Sequence, residues 1–174
     1  MKTFKYYIYT TLLATVFSCT YDFPEKEEST SGGADFTKYV SVGNSLTAGF
    51  MDGALYDRGQ ANSFTSILAG QMKLVGGGDF NQPDINSPAG FFRFAPDGQT
   101  PLGRLILQSP GGVCGPSPSP IVPGNLPQPF SGDLSQLNNF GVPGLTLGTA
   151  LLPQTGGPAN GNPYYNPYYA RFAS

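Results

Sequence analysis

One serine carries the strongest chemical signal in the chain. Tyr39, Val40 and Val42 form a short β-rich run that stops at Gly43, and Gly43-Asn44-Ser45-Leu46-Thr47-Ala48-Gly49 spans the turn that follows. This spacing puts Ser45 at the carboxyl edge of a strand, where the ligand sites of open α/β sheets gather. Peptide N–H groups opening a helix there would face an anion. Serine is a weak nucleophile without a base to take its proton, and the chain contains no histidine. A Ser-His or Cys-His hydrolase complete within these 174 residues is therefore excluded, as is a Cys/His zinc site. The plainer alternative is a Ser-Gly turn at a strand end.

The stretch is not the Gly-x-Ser-x-Gly elbow of α/β-hydrolases, because Thr47 stands where glycine is required. It resembles the first sequence block of the GDSL, or SGNH, hydrolases, Gly-Asp-Ser-Leu-Thr-x-Gly, with Asn44 in place of aspartate. Asparagine keeps the shape and local hydrogen bonding and drops the charge. Further on, Leu137-Asn138-Asn139-Phe140-Gly141-Val142-Pro143-Gly144 reads as a strand leaving into a glycine turn. It resembles the family's second block, Asn-x-Gly-x-x-Gly. The resemblance implies that Ser45 is the nucleophile and its N–H one oxyanion donor, with the Gly144 N–H a second. Gly43, Asn44, Leu46, Thr47 and Gly49 fill the remaining motif positions. The implied activity is hydrolysis of carboxylic esters, on lipid or on acylated glycan, with no cofactor and no metal. The implied fold is an incomplete flavodoxin-like α/β/α sandwich, of whose 2-1-3-4-5 sheet only the first two strands are present. The family's other two blocks, Gly-x-Asn-Asp and Asp-x-x-His, have no counterpart in this sequence. The expectation is the N-terminal part of an esterase, truncated and close to inert alone.

Other elements must hold these turns in place. Ser63 can cap a helix running to about Val75, with Phe64, Ile67, Leu68, Met72 and Val75 on one apolar face and Gly76-Gly77-Gly78 ending it. That face is expected to pack on the sheet. From Gly76 to about Asp133 periodicity is lost, and the run Pro116-Ser117-Pro118-Ser119-Pro120 predicts an extended surface insertion unable to pair in a sheet. Gly90-Phe91-Phe92-Arg93-Phe94 is the exception, a short strand or an aromatic patch packing back. Leu145 to Leu152 begins another helix, which Pro153 stops. The tail repeats Asn162-Pro163-Tyr164-Tyr165 as Asn166-Pro167-Tyr168-Tyr169. Its rings either pack on the domain or stack on a sugar or acyl chain.

Residues 1–18 read as a signal peptide. Lys2 and Lys5 precede an apolar run from Tyr6 to Phe17, about twelve residues against the roughly 20 a membrane span needs. Val16-Phe17-Ser18-Cys19 resembles a bacterial lipobox, which implies lipidation of Cys19, export, and anchoring to a membrane, the outer membrane by expectation. Residues 19–34 form a flexible tether whose Lys26-Glu27-Glu28 resembles acidic surface-export signals; residues 35–174 form the domain. With Cys19 acylated, Cys114 is the one free thiol, without a partner for a disulfide. The composition limits the rest. Charged residues are 11%, hydrophobic 39% and aromatic 13%, too apolar for a solvated disordered chain. The net charge of −2 argues against a nucleic-acid partner. A competing function class is a non-catalytic envelope lipoprotein that binds glycan or lipid through Tyr164 and Tyr168.

Overall fold

The computed structural model describes residues 23–25, 28–108 and 115–172. The expected signal peptide, Cys19, the Lys26-Glu27 pair and Cys114 lie outside the described residues. The described residues are mixed α/β, with one small parallel and two small antiparallel sheets among them. β1 (Ser41–Gly43) is the strand expected before the serine, and it pairs in parallel with β6 (Asn139–Gly141), Val42 opposite Phe140. A parallel pair needs a crossover, and parallel strands end at the same edge. The turns after β1 and β6 therefore emerge side by side. α1 (Ser45–Ala48) follows β1 at once, and α4 (Leu147–Ala150) follows β6 with Thr146 and Thr149 in a reciprocal capping box.

α2 (Asp57–Ala61) and α3 (Phe64–Lys73) follow α1. The Ser63 hydroxyl accepts from the Ser66 N–H, the expected cap. The packed face differs from expectation. Thr65 and Ala69 are buried and Met72 and Val75 half-buried, while Phe64, Ile67 and Leu68 are exposed. Hydrogen bonding overrides apolarity here: the Thr65 hydroxyl donates to the Thr47 carbonyl of α1 at 3.1 Å, which turns its own side of α3 inward.

The proline-rich stretch corrects a second expectation. β4 (Leu105–Gln108) pairs antiparallel with β5 (Ser117–Pro120), Leu105 opposite Pro120 and Gln108 opposite Ser117. Prolines alternate with serines, and the N–H of Ile121, in phase with Ser117 and Ser119, donates to Arg104. The proline nitrogens then face away from the ladder, which a two-stranded edge tolerates. β2 (Arg93–Phe94) pairs with β3 (Pro101–Leu102). Nor is the insertion only a surface excursion. Its Ile85 joins Ala48, Leu55, Val142 and Tyr168 in the core, with Phe50, Phe91 and Leu145 packed against them. Arg171 fastens it to the tail, its guanidinium buried and donating to the carbonyls of Pro83 (3.1 Å), Asp84 (2.7 Å) and Gln128 (2.8 Å).

α5 (Pro167–Ala170) holds the second half of the tyrosine repeat, capped by Asn166, whose side chain accepts from the N–H groups of Tyr168 and Tyr169. The repeat is not equivalent in use. Tyr168 is buried and Tyr164 is exposed.

Candidate functional site

The turn bearing Ser45 is held at both ends. Gly49 adopts φ +82° and returns its N–H to the carbonyls of Leu46 and Ser45, closing α1 after one turn. Any side chain there would also strike the backbone of Gly59 and Gln60. On the other side the Thr47 carbonyl is gripped twice, by the Thr65 hydroxyl and by Asn139 Nδ2 at 2.9 Å. Gly141 completes the seat, since a Cβ there would collide with the backbone of Thr47 and Ala48. Gly43 is close-packed in the same way, with the Thr47 side chain filling the space a Cβ would take.

Asn139 is the residue whose role sequence reasoning missed. It is 1% exposed, on the buried side of β6. Its Nδ2 donates to the Thr47 carbonyl and, at 3.2 Å, to Thr65 Oγ1; its Oδ1 accepts from the Gly141 N–H at 3.0 Å. A buried amide with three partners is fully committed to position. It ties the strand of the second motif to the helix of the first. Asn138 assists from outside, donating to the Tyr39 carbonyl at 3.0 Å and accepting from the Asn81 N–H at 2.9 Å.

Ser45 and Gly144 line one cleft of about 440 Å³, together with Phe50, Phe91, Tyr165 and Tyr168. Ser45 is half-buried and Gly144 exposed, with φ +76°. Among the described residues, neither the Ser45 N–H nor the Gly144 N–H donates a hydrogen bond. The Gly144 turn is fixed from behind, where Asn166 Nδ2 donates to the Pro143 carbonyl at 2.8 Å. Of the remaining motif residues, Asn44 and Leu46 are exposed, and the Asn44 side chain makes no capping hydrogen bond. Its carbonyl accepts from Ala48 instead, at 3.0 Å. Asn44 therefore stands at the solvent-facing corner of the turn and holds it through its backbone alone.

The cleft floor is apolar. Phe50 meets Tyr168 edge to face at 6.3 Å. The Tyr168 hydroxyl donates to the Phe91 carbonyl at 2.6 Å, and burial pushes its pKa up to about 12. Buried against Phe50 and with its hydroxyl committed, Tyr168 is a wall and not a stacking platform; Tyr164 alone of the pair retains an open ring. Among the described residues no three His, Cys, Asp or Glu side chains converge as metal ligands would, and no helix is long and apolar enough to cross a membrane. The aromatics Phe91 and Phe92 were visible in the sequence as a cluster, but nothing in their spacing tied them to Ser45. No family model, curated protein or solved structure matches the chain.

Proposed function

We propose that the domain is the nucleophile-bearing part of an SGNH-type serine esterase, anchored through a lipid on Cys19 to the outer membrane of the cell that exports it. The β1–β6 pair is then the start of a flavodoxin-like sandwich. One observation carries the reading. Ser45 and Gly144 follow the carboxyl ends of two paired parallel strands, line one cleft, and keep N–H groups that no acceptor among the described residues takes up. An ester carbonyl in the cleft meets the Ser45 hydroxyl. Attack forms the Oγ–C bond and moves the carbonyl π electrons to oxygen, where the two N–H groups hold the charge. The Ser45 proton passes to a base, and the alkoxide leaves when the tetrahedral centre collapses. The family's third donor is an asparagine, and a site with one donor fewer loses about 2.7–4 kcal/mol of transition-state stabilisation. With no histidine in these residues, binding and a partial oxyanion hole sustain only about 10³–10⁴-fold over water in a well-formed site.

Labelling with a fluorophosphonate tests this, because phosphonylation requires the same attack and leaves a stable adduct. The expected result is one slow adduct per chain, mapped to Ser45, accelerated by added imidazole as surrogate base and absent in Ser45→Ala. Adducts spread over tyrosines and unchanged in Ser45→Ala would overturn the reading.

A further inference from the structure

The Ser45 cleft does not end at its own walls. Phe91, Phe92, Tyr165 and Pro167 line it and also line a second cavity of about 570 Å³, so the two form one continuous surface. Away from Ser45 this trough runs over Phe94, Leu126 and Pro127. Its size is that of a small-molecule site. We propose that the trough holds the unbranched hydrocarbon chain of the acyl group whose ester carbonyl lies at Ser45; the assignment rests on the esterase reading of that serine.

The chemistry of the lining selects this occupant over a sugar. Among the described residues Arg93 is the one charged side chain lining this second cavity, and its guanidinium already sits over the Phe92 ring at 5.2 Å. Among the described residues the Tyr165 hydroxyl is the other polar side-chain group of this cavity. A sugar ring would bring several hydroxyls out of water against walls with few partners, and each unpaired hydroxyl opposes binding. A methylene chain requires no partner and gains affinity with every CH₂ covered. The wall is also firm, since Phe91 and Phe94 pack edge to face at 5.3 Å and β2–β3 backs them. Phe94 and Leu126 are 44% and 43% exposed, apolar surface aligned along a path that begins at the nucleophile.

The test is a titration of the full chain with butyrate, hexanoate, octanoate and decanoate below their micelle concentrations, followed by calorimetry and by amide NMR shifts. Affinity is expected to rise up to about fourfold per methylene and to level off once the trough is full, with shifts at Phe94, Leu126 and Tyr165. Leu126→Ser and Phe94→Ser, each checked by far-UV circular dichroism, flatten that slope, whereas Ser45→Ala keeps it. A flat dependence on chain length overturns the proposal. So does a slope that survives both substitutions, or a xylo-oligosaccharide that saturates Tyr165 where the fatty acids do not. The two layers separate cleanly. A chain-length slope without fluorophosphonate labelling leaves a hydrocarbon site and overturns its assignment to an ester, while labelling without a slope removes the trough and leaves Ser45.

Discussion

Replacing Asn139 by leucine keeps the branching and the number of side-chain heavy atoms and removes all three hydrogen bonds of its amide, to the Thr47 carbonyl, Thr65 Oγ1 and the Gly141 N–H. The Gly141 N–H then has no acceptor, because it points away from β1; the neighbouring Val142 N–H is the one that reaches Gly43. An orphaned buried donor costs about 1–3 kcal/mol. The Thr47 carbonyl keeps the Thr65 hydroxyl, and Thr65 keeps Ser63 at 2.9 Å, so each of those losses is an ordinary net hydrogen bond of about 0.5–1.5 kcal/mol. The sum is roughly 2–6 kcal/mol, read as a lower urea midpoint with an unchanged m-value in circular dichroism. Phosphonylation of Ser45 slows in the same variant, because α1 has lost half of its grip on the Thr47 carbonyl. Asn139→Asp sharpens the test. It keeps the acceptor for Gly141 but turns a donor into a carboxylate facing the Thr47 carbonyl. Burial raises the pKa of such a group, so this variant is near native in acid and loses stability as pH rises above about 4. A leucine variant within about 0.5 kcal/mol of native, or an aspartate variant equally stable at pH 7, would refute the anchoring role of Asn139.

Tyr168 links stability to alkali. Its folded pKa of about 12 exceeds the ordinary value of 10.0, so its contribution is whole below pH 10 and is lost as pH rises through 12. That contribution is roughly 2–3 kcal/mol; Tyr168→Phe should remove this alkaline component and cost about 1 kcal/mol at pH 7, measured by chemical unfolding across pH. Arg171→Ala leaves the Gln128 carbonyl without a donor and takes one donor each from the carbonyls of Pro83, which keeps Gln60 Nε2, and Asp84, which keeps Asn86 Nδ2; it should destabilise by roughly 3 kcal/mol, with faster limited proteolysis near Gln128. Val42 is 79% exposed beside Phe140 on the open face of the parallel sheet. Val42→Lys should therefore reduce aggregation in light scattering while changing stability by no more than about 0.5 kcal/mol.

The strand before Ser45, the cap at Ser63 and the Gly144 turn were legible because each is written in local chemistry: a β-branched run halted by glycine, a hydroxyl before an apolar stretch, an Asn-x-Gly turn. The buried face of α3 was not legible. Its apolar residues are correctly spaced, yet the Thr65 hydroxyl finds a carbonyl on α1 that no window around Thr65 contains. The pairing of β5 was hidden for a related reason. Proline forbids a ladder only where its nitrogen faces a partner, and that phase depends on the position of β4. The core role of Tyr168 and the exposure of Tyr164 likewise divide a repeat whose two copies look equal in sequence. Sequence identified the nucleophile candidate; the geometry behind it depends on Asn139 and Asn166, polar residues whose partners are distant in the chain.

The most direct test of the Ser45–Gly144 pairing is the amide spectrum of the phosphonylated protein. A phosphoryl oxygen on Ser45 occupies the position of the oxyanion, so the Ser45 and Gly144 amide protons should both move downfield, and by more than any other amide of the cleft. An adduct on Ser45 that leaves the Gly144 amide unmoved would contradict a shared oxyanion site, and with it the esterase reading of the second motif.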